Sequence, residues 1–572
     1  MKRWSILFLL SNVLLFIPIY LAYGPIATLL PFNGIRNVEQ EGILSILFLN
    51  HNYNPFRIVA DWSICLLIAP YIQRFYLSKR VLTGLLAGIW LFFFLFQLYF
   101  GAMHYLYGTK PQLVNEWILV AEVLPVFAAG VGVSFILVLF IALLIGIGLY
   151  WLVRQTIMFS LSDQPVIFRR YLVLAVSFFI MMSAWRYRDA DIYDLRLNSQ
   201  FLLPRIVDAI RSEDVKKMEN LTVRSLPYNA YNQLQLHQPP NIYLIFVESY
   251  GAVPFLSKAL QDTFLSHNTA MAERLEDEGW LTSSTWSLAP IKGGRSWLSF
   301  SSALTGLHID NQLAYNELLD MDFRYPHLVR FLNSMGYVSH RINTMQTNEI
   351  TDKHIPYDKI RDFHEFDTWT LFQDIPYRGY PYNPIGGLPD QYALEYVYSK
   401  RIKGKSGPHF LFFITLDSHA PWYPPPTIVN NYKTLDSITS SPHGTYQNLD
   451  ADIMDRYRDC MFYELGFLEH FIRTKGTDSD MFILVGDHQP PAMEHLIWDQ
   501  INDFAVPLHF IQKNSLVQSK LASLEFNAGL IPASTDTVEW THAGIYSLVA
   551  HILSSCYTTD VNRSTPIKKK GI

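Results

Sequence analysis

The chain of 572 residues has only three cysteines, Cys65, Cys460 and Cys556. Three thiols exclude a disulfide framework, although Cys460 and Cys556 can pair if their part of the chain faces an oxidising compartment. Charge is scarce too. Asp, Glu, Lys and Arg make up 17% of the residues and the net charge is -5, which leaves no basic footprint for a nucleic-acid partner. The sequence has no internal repeat and no low-complexity stretch, so no solenoid or array is expected. No small-residue cleavage site follows its first apolar stretch, which reads as a retained anchor rather than a removed leader. No apolar stretch carries a run of internal charges, which argues against a transport pathway.

What is present is apolar: 50% of the residues are hydrophobic and 15% aromatic. That exceeds an ordinary soluble protein, and the length allows a membrane part plus one large domain. Five stretches, at residues 4–23, 58–76, 81–105, 123–153 and 171–185, are candidate spans, the fifth having the shortest apolar core. Tyr and Trp sit near several of their ends. With the N-terminus in the cytoplasm, the inner loops hold Lys2, Arg3, Arg74, Lys79, Arg80, Arg154, Arg169 and Arg170, and the outer loops only Arg36, Arg57 and Lys110. The positive-inside rule favours this orientation. Five crossings then place everything after Trp185 outside the cytoplasm. Asp61, His104, Glu116 and Glu122 fall near the outer edge, where an interfacial role suits them.

The expected division is a transmembrane domain at 1–190, a juxtamembrane linker at 191–239 with a helix around 202–218, a globular domain at 240–560 and a tail at 561–572. In the globular part, apolar runs at 242–247, 337–342, 409–416, 481–485 and 506–511 alternate with helical patterns at 268–278, 326–335, 453–473 and 543–553. That alternation predicts an α/β domain with a largely parallel sheet covered on both faces. Ligands of such sheets sit beyond the carboxyl ends of the strands. Three of the runs deliver acid or imidazole to that edge. NIYLIFV ends in Glu248, residues 409–416 lead to Asp417 and His419, and MFILVG ends in Asp487 and His488. An Asp-His pair at one strand end serves equally as turn or capping chemistry. Convergence of three strand ends points to a divalent cation.

A reacting group is offered by KGGRSWLSFSSALTG at 292–306. Its glycines let the backbone approach an anion, and Ser296 stands where a helix begins, with Trp297, Leu298, Phe300 and Leu304 on its apolar face. A serine there is either a plain N-cap or a nucleophile aided by the helix terminus and a metal. Ser299, Ser301 and Ser302 are weaker rivals as nucleophile, because they fall inside the helix. Lys292, Arg295 and Arg341 are candidates to hold phosphate oxygens, Arg341 foremost because it follows a strand edge.

Together, Glu248 after NIYLIFV, Ser296 in GGRSW, His419 in TLDSHAPWYP and the GDHQP motif resemble the extracytoplasmic domain of lipoteichoic acid synthases and related phosphoglycerol and phosphoethanolamine transferases. These form the sulfatase-like branch of the alkaline phosphatase superfamily. The resemblance covers roughly residues 240–553, and the preceding part resembles that family's five-span membrane domain. It implies that Glu248, Ser296, Asp487 and His488 ligate one metal ion, that Ser296 is the nucleophile, and that His419 lines the substrate pocket. Members usually carry threonine where this chain has Ser296, and either hydroxyl can attack. A formylglycine sulfatase would need Pro and Arg two and four residues beyond the modified residue, where this chain has Leu298 and Phe300.

The expectation is therefore a multi-pass protein of the cell membrane with an extracytoplasmic sulfatase-like domain holding Mn²⁺ or Zn²⁺. It would transfer a phosphoglycerol or phosphoethanolamine head group from a membrane phospholipid to a glycan, lipid or polymer acceptor. The alternatives are a hydrolase on the same scaffold, whether phosphodiesterase, phosphatase or sulfuric ester hydrolase, and a catalytically inactive binding protein.

Overall fold

A computed structural model of the chain describes residues 2–22, 59–107, 133–161, 203–210, 221–229, 234–321, 323–345, 357–380, 387–438, 453–491, 504–533, 538–558 and 565–572, with a few isolated residues besides. It divides into two compact units, Met1–Glu213 and Asp214–Ile572.

The first unit is helical. Its described helices are Lys2–Ala22, Ala60–Phe75, Lys79–Tyr107, Val133–Ser160 and the short Leu203–Ile210. Among the described residues, Lys79–Gly101 and Leu143–Ser160 are long and apolar enough to cross a membrane, and Ile6–Leu15 is apolar but shorter. The fifth expected span, at 171–185, lies outside the described residues except for 173, 174 and 177; Glu116, Glu122 and the His104 side chain lie outside them too. Polar side chains hold the helices together. Asn12 accepts from the Val59 amide at 2.8 Å, Trp62 donates to Ser11 Oγ at 3.1 Å, and Trp90 donates to the Ser11 carbonyl at 3.0 Å. Asp61 is buried in the first turn of its helix, where a negative charge meets the helix dipole favourably.

The second unit is built on one sheet of strands β1 (Asn241–Val247), β2 (Leu281–Leu288), β3 (Val338–Asn343), β4 (Thr368–Leu371), β5 (His409–Ile414), β6 (Asp480–Gly486), β7 (Ala505–Gln512), β8 (Asn527–Ala528) and β9 (Trp540–Thr541). Their order is β4-β3-β5-β1-β6-β7-β2-β8, with β9 pairing β2. β4, β3, β5, β1 and β6 are mutually parallel. β7 is antiparallel to both β6 and β2. The sheet is thus mixed, where alternation of runs and helices predicts a largely parallel one. The half that bears the strand ends of interest is the parallel half.

β1 is apolar along its length because both its faces are covered. Tyr243, Ile245 and Val247 pack with Phe264, Phe471 and Phe482 under the helices Gln261–Glu276 and Ile453–Lys475. Ile242, Leu244 and Phe246 pack with Phe300, Phe412 and Tyr546 under Ser296–Thr305 and Ile545–Cys556. Truncating such a ring to Ala costs about 3–5 kcal/mol.

β2, LTSSTWSL, escapes hydrophobic patterning because five of its eight residues carry a hydroxyl. Its serines are buried but matched: Ser284 Oγ lies 2.6 Å from both His509 Nδ1 and the Gly529 carbonyl, and Ser287 Oγ lies 3.0 Å from His542 Nδ1. A buried hydroxyl with a partner costs little. Segments at either end of the globular part also carry its contacts: Tyr228 and Tyr231 are buried against Tyr546, and Ile572 donates its amide to the Gly306 carbonyl. Cys460 and Cys556 are free thiols, not a disulfide; Cys460 Sγ contacts the Tyr423 carbonyl instead.

Candidate active site

β1 and β6 lie side by side and in register, Val247 opposite Gly486. Each runs straight into its functional residue, so Glu248 and Asp487 emerge at one edge. Gly486 is required there, since a Cβ would stand 1.8 Å from the Tyr250 carbonyl oxygen. Asp487 Oδ1 accepts from the amides of His488 at 2.7 Å and Ser249 at 2.8 Å. Glu248 is held by Ser249 Oγ, which donates to its Oε1 at 3.0 Å, and by Ser418 Oγ, which donates to its backbone carbonyl at 2.7 Å.

Ser296 is the first residue of the helix Ser296–Thr305. The turn before it puts Gly294 and Arg295 in the left-handed region, at φ 56° and 52°, and Ser249 sits there too at 59°. Left-handed non-glycine residues beside both Glu248 and Ser296 are the kind of local strain that clusters at functional sites. Ser296 Oγ is 3.3 Å from Glu248 Oε2 and 3.3 Å from His488 Nε2. His488 Nε2 is 3.2 Å from Asp487 Oδ2 and 3.6 Å from Glu248 Oε1. Glu248, Asp487 and His488 are buried while Ser296 is half-buried, so the hydroxyl is the accessible member of the group.

The electrostatics favour a cation. His488 Nδ1 donates to the Gln489 carbonyl at 2.8 Å, which leaves Nε2 unprotonated and turned toward the two carboxylates. Burial lowers the His488 imidazole's pKa. Burial pushes the Asp487 carboxyl well above the usual range, and the neighbouring Glu248 adds to it. Burial pushes Glu248 the same way, but positive charge on the His488 and His419 rings, when they carry it, together with hydrogen bonds from Asp487 and Ser249, outweighs it and holds it low. Asp487 Oδ2 is buried with no hydrogen-bond donor. Two carboxylates and an imidazole lone pair facing one another repel unless something positive lies between them. The ligand atoms of Glu248, Asp487 and His488 lie within 4.8 Å of one another, which suits one divalent ion, with Ser296 Oγ beside it as a further oxygen.

His419 is half-buried, donates Nδ1 to the Ala420 carbonyl at 2.6 Å, and is close enough to act on both Glu248 and His488. Arg341 does not join this group. It lies within β3, buried, with its guanidinium 4.3 Å from the Trp369 ring, 4.9 Å from Phe300 and 5.4 Å from Phe412. Burial among those rings lowers its pKa to about 10. The strand continues past it to Asn343, so Arg341 is a core cation rather than an edge residue. The Lys292 ammonium lies over the Phe504 ring, 4.9 Å from its centroid.

Two residues take positioning roles that sequence alone does not assign them. Gln489 accepts from the amides of Ala252 and Val253 through Oε1 and donates through Nε2 to the Ala505 carbonyl, tying the loop after β6 to the loop after β1. Ser299 donates to the Asp487 carbonyl at 2.7 Å and so docks the Ser296 helix on the end of β6. Gln489 had a signal in the GDHQP motif; Ser299 had none.

Residues 240–521 match the sulfatase family model. No curated protein matches the sequence. Among solved structures, the lipoteichoic acid synthase LtaP from Listeria monocytogenes is 13% identical over 60% of this chain and 81% of its own, with a TM-score of 0.36. The integral membrane lipooligosaccharide phosphoethanolamine transferase A (EptA) from Neisseria meningitidis is 11% identical over 86% of this chain and 95% of its own, with a TM-score of 0.42. The Streptococcus pyogenes phosphoglycerol transferase GacH, in complex with sn-glycerol-1-phosphate, is 12% identical over 60% and 88%, with a TM-score of 0.35.

Proposed function

We propose that this chain, which carries a sulfatase-family domain at residues 240–521, is a membrane-anchored, metal-dependent transferase. It moves a phosphoglycerol or phosphoethanolamine head group from a membrane phospholipid to an extracytoplasmic glycan, lipid or polymer. The observation that carries the reading is the Ser296 hydroxyl, accessible and within 3.3 Å of both Glu248 and His488.

Glu248, Asp487 and His488, with Ser296 Oγ, would hold one divalent ion, Mn²⁺ or Zn²⁺ on the mixed oxygen and nitrogen donor set. When bound, it supplies charge neutralisation at the phosphoryl oxygens and a lowered hydroxyl pKa. Ser296 Oγ then attacks phosphorus, its proton leaving along the hydrogen bond to Glu248 Oε2. The oxygen–phosphorus bond to diacylglycerol breaks, and the leaving alkoxide takes up the proton that Glu248 received. His419 stands at the half-buried rim, where it holds the phosphate or the head group. An acceptor hydroxyl attacks the phosphoserine in turn, giving its proton to Glu248; the Ser296 Oγ–phosphorus bond breaks and Ser296 takes that proton back. Anchorage by the apolar helices would confine the chain to the membrane that holds its donor, which raises the donor's effective concentration.

The test is incubation of purified full-length chain, wild type and Ser296→Ala, with labelled phospholipid. Diacylglycerol release and a trapped phosphoserine are expected only with Ser296. Release at an unchanged rate in Ser296→Ala removes the serine from the reaction. Free phosphoglycerol or phosphoethanolamine as the sole product, with every acceptor supplied, makes water the acceptor and the protein a hydrolase.

A further inference from the structure

A second group of acids lies beside the first. Asp390 opens the helix Asp390–Val397, Asp417 follows β5, and Glu464 lies in the middle of the helix Ile453–Lys475. All three are buried, Asp390 and Glu464 with no exposed surface at all. A carboxylate oxygen from each lies within 4.8 Å of the others.

The hydrogen bonds show which oxygens are in use. Asp390 Oδ2 accepts from the amides of Leu416 and Asp417, at 2.5 and 2.7 Å, and Asp417 Oδ2 accepts from the Asp390 amide at 2.8 Å. Each aspartate thus spends one oxygen on the backbone. The other oxygens, Asp390 Oδ1 and Asp417 Oδ1, have no donor, and neither oxygen of Glu464 has one. Glu464 is the independent pointer: a wholly buried side chain, from a different helix, whose oxygens lie near the Ser418 amide and the Asp390 carboxyl but meet no donor at full hydrogen-bond geometry. Among the described residues no lysine, arginine or histidine makes an ion pair or hydrogen bond to any of the three. Three buried carboxylates this close must share protons or hold a cation.

We propose that Asp390, Asp417 and Glu464 bind a second divalent cation, a hard one of the Ca²⁺ or Mg²⁺ kind. The donors are all oxygen, with no imidazole or thiolate to favour a softer ion. The site is structural. Asp417 precedes Ser418, whose hydroxyl holds the Glu248 carbonyl, and His419, so the cation fixes the loop that carries both contacts to the first centre. The proposal does not depend on what reaction the first centre performs.

The test uses the full-length chain in detergent, as wild type, Asp487→Asn and Glu464→Gln, stripped with chelator and titrated separately with CaCl₂, MgCl₂ and MnCl₂. Bound metal is counted by plasma mass spectrometry and stability is read as Tm. Wild type should bind two ions and each variant one. Asp487→Asn should keep a rise in Tm of about 3–5 °C with Ca²⁺ or Mg²⁺, and Glu464→Gln should lose it. Asp487→Asn that binds no hard cation overturns the proposal, even if Glu464→Gln fails to fold. So does a protonated-carboxyl infrared band in cation-saturated wild type that Glu464→Gln or Asp417→Asn removes, since shared protons then hold the cluster.

Discussion

The domain holds two buried carboxylate groups next to each other, and they differ in composition. The first, Glu248 with Asp487, includes an imidazole and opens onto a half-buried hydroxyl. The second, Asp390 with Asp417 and Glu464, has carboxylates alone, all of them buried. Both have buried oxygens without donors, so burial and charge do not tell a reactive site from a structural one. The neighbours do. A half-buried hydroxyl, at the start of a helix and against a strained turn, stands beside the first group. The second has backbone amides and the Tyr463 hydroxyl beside it, and no imidazole.

Substitutions sharpen that contrast in order of size. Ser296→Ala should lower diacylglycerol release by at least about 10³-fold, with the metal content measured in parallel and largely kept. Chelation of the first-centre ion should abolish turnover while far-UV circular dichroism stays unchanged, because the sheet edge is built by backbone pairing on apolar strands. Glu464→Gln should leave the chemistry in place and lower kcat by about tenfold, acting through the loop that positions Glu248 and His419. An effect as large as that of Ser296→Ala would erase the distinction. Ser299→Ala removes one buried hydrogen bond and should cost about 1 kcal/mol in urea unfolding, with a few-fold loss of kcat.

A carboxylate outside both groups sets the scale for one that has proper partners. Glu365 takes hydrogen bonds first from Arg330, against the push of burial, and then from Arg324, and its pKa falls from 4.5 to about 2. The folded value is depressed, so its contribution is complete above pH 4.5 and is lost as the pH falls toward about 2. Glu365→Gln should lower stability at pH 7 by about 1 kcal/mol after solvent screening. In a Tm-versus-pH series, its gap to wild type should close across that acid window.

Much of this was legible in sequence where apolar runs end abruptly. Five strands and four helices fall at or near the runs and periods that mark them, because strands buried on both faces must be apolar throughout. β2 was not legible, since serine reads as loop unless His509 and His542 are known to stand opposite. β7's direction was not legible either: a buried run looks the same up or down. Arg341 reads as a strand-edge arginine, but β3 runs two residues further and its guanidinium is walled in by Trp369, Phe300 and Phe412. The Asp417 side chain was visible beside His419, but nothing in the chain order joins it to Glu464 on a distant helix.

By itself, the order of residues determined that Glu248, Asp487 and His488 stand at strand ends and that Ser296 opens a helix, because local hydrophobic pattern and glycine placement set where strands and helices stop. That these ends converge, that Ser299 and Gln489 brace them, and that a second set of acids lies alongside were decided only by the folded sheet. Strand order and direction bring together groups far apart along the chain, and pairing between distant strands leaves no mark on the sequence of any one of them.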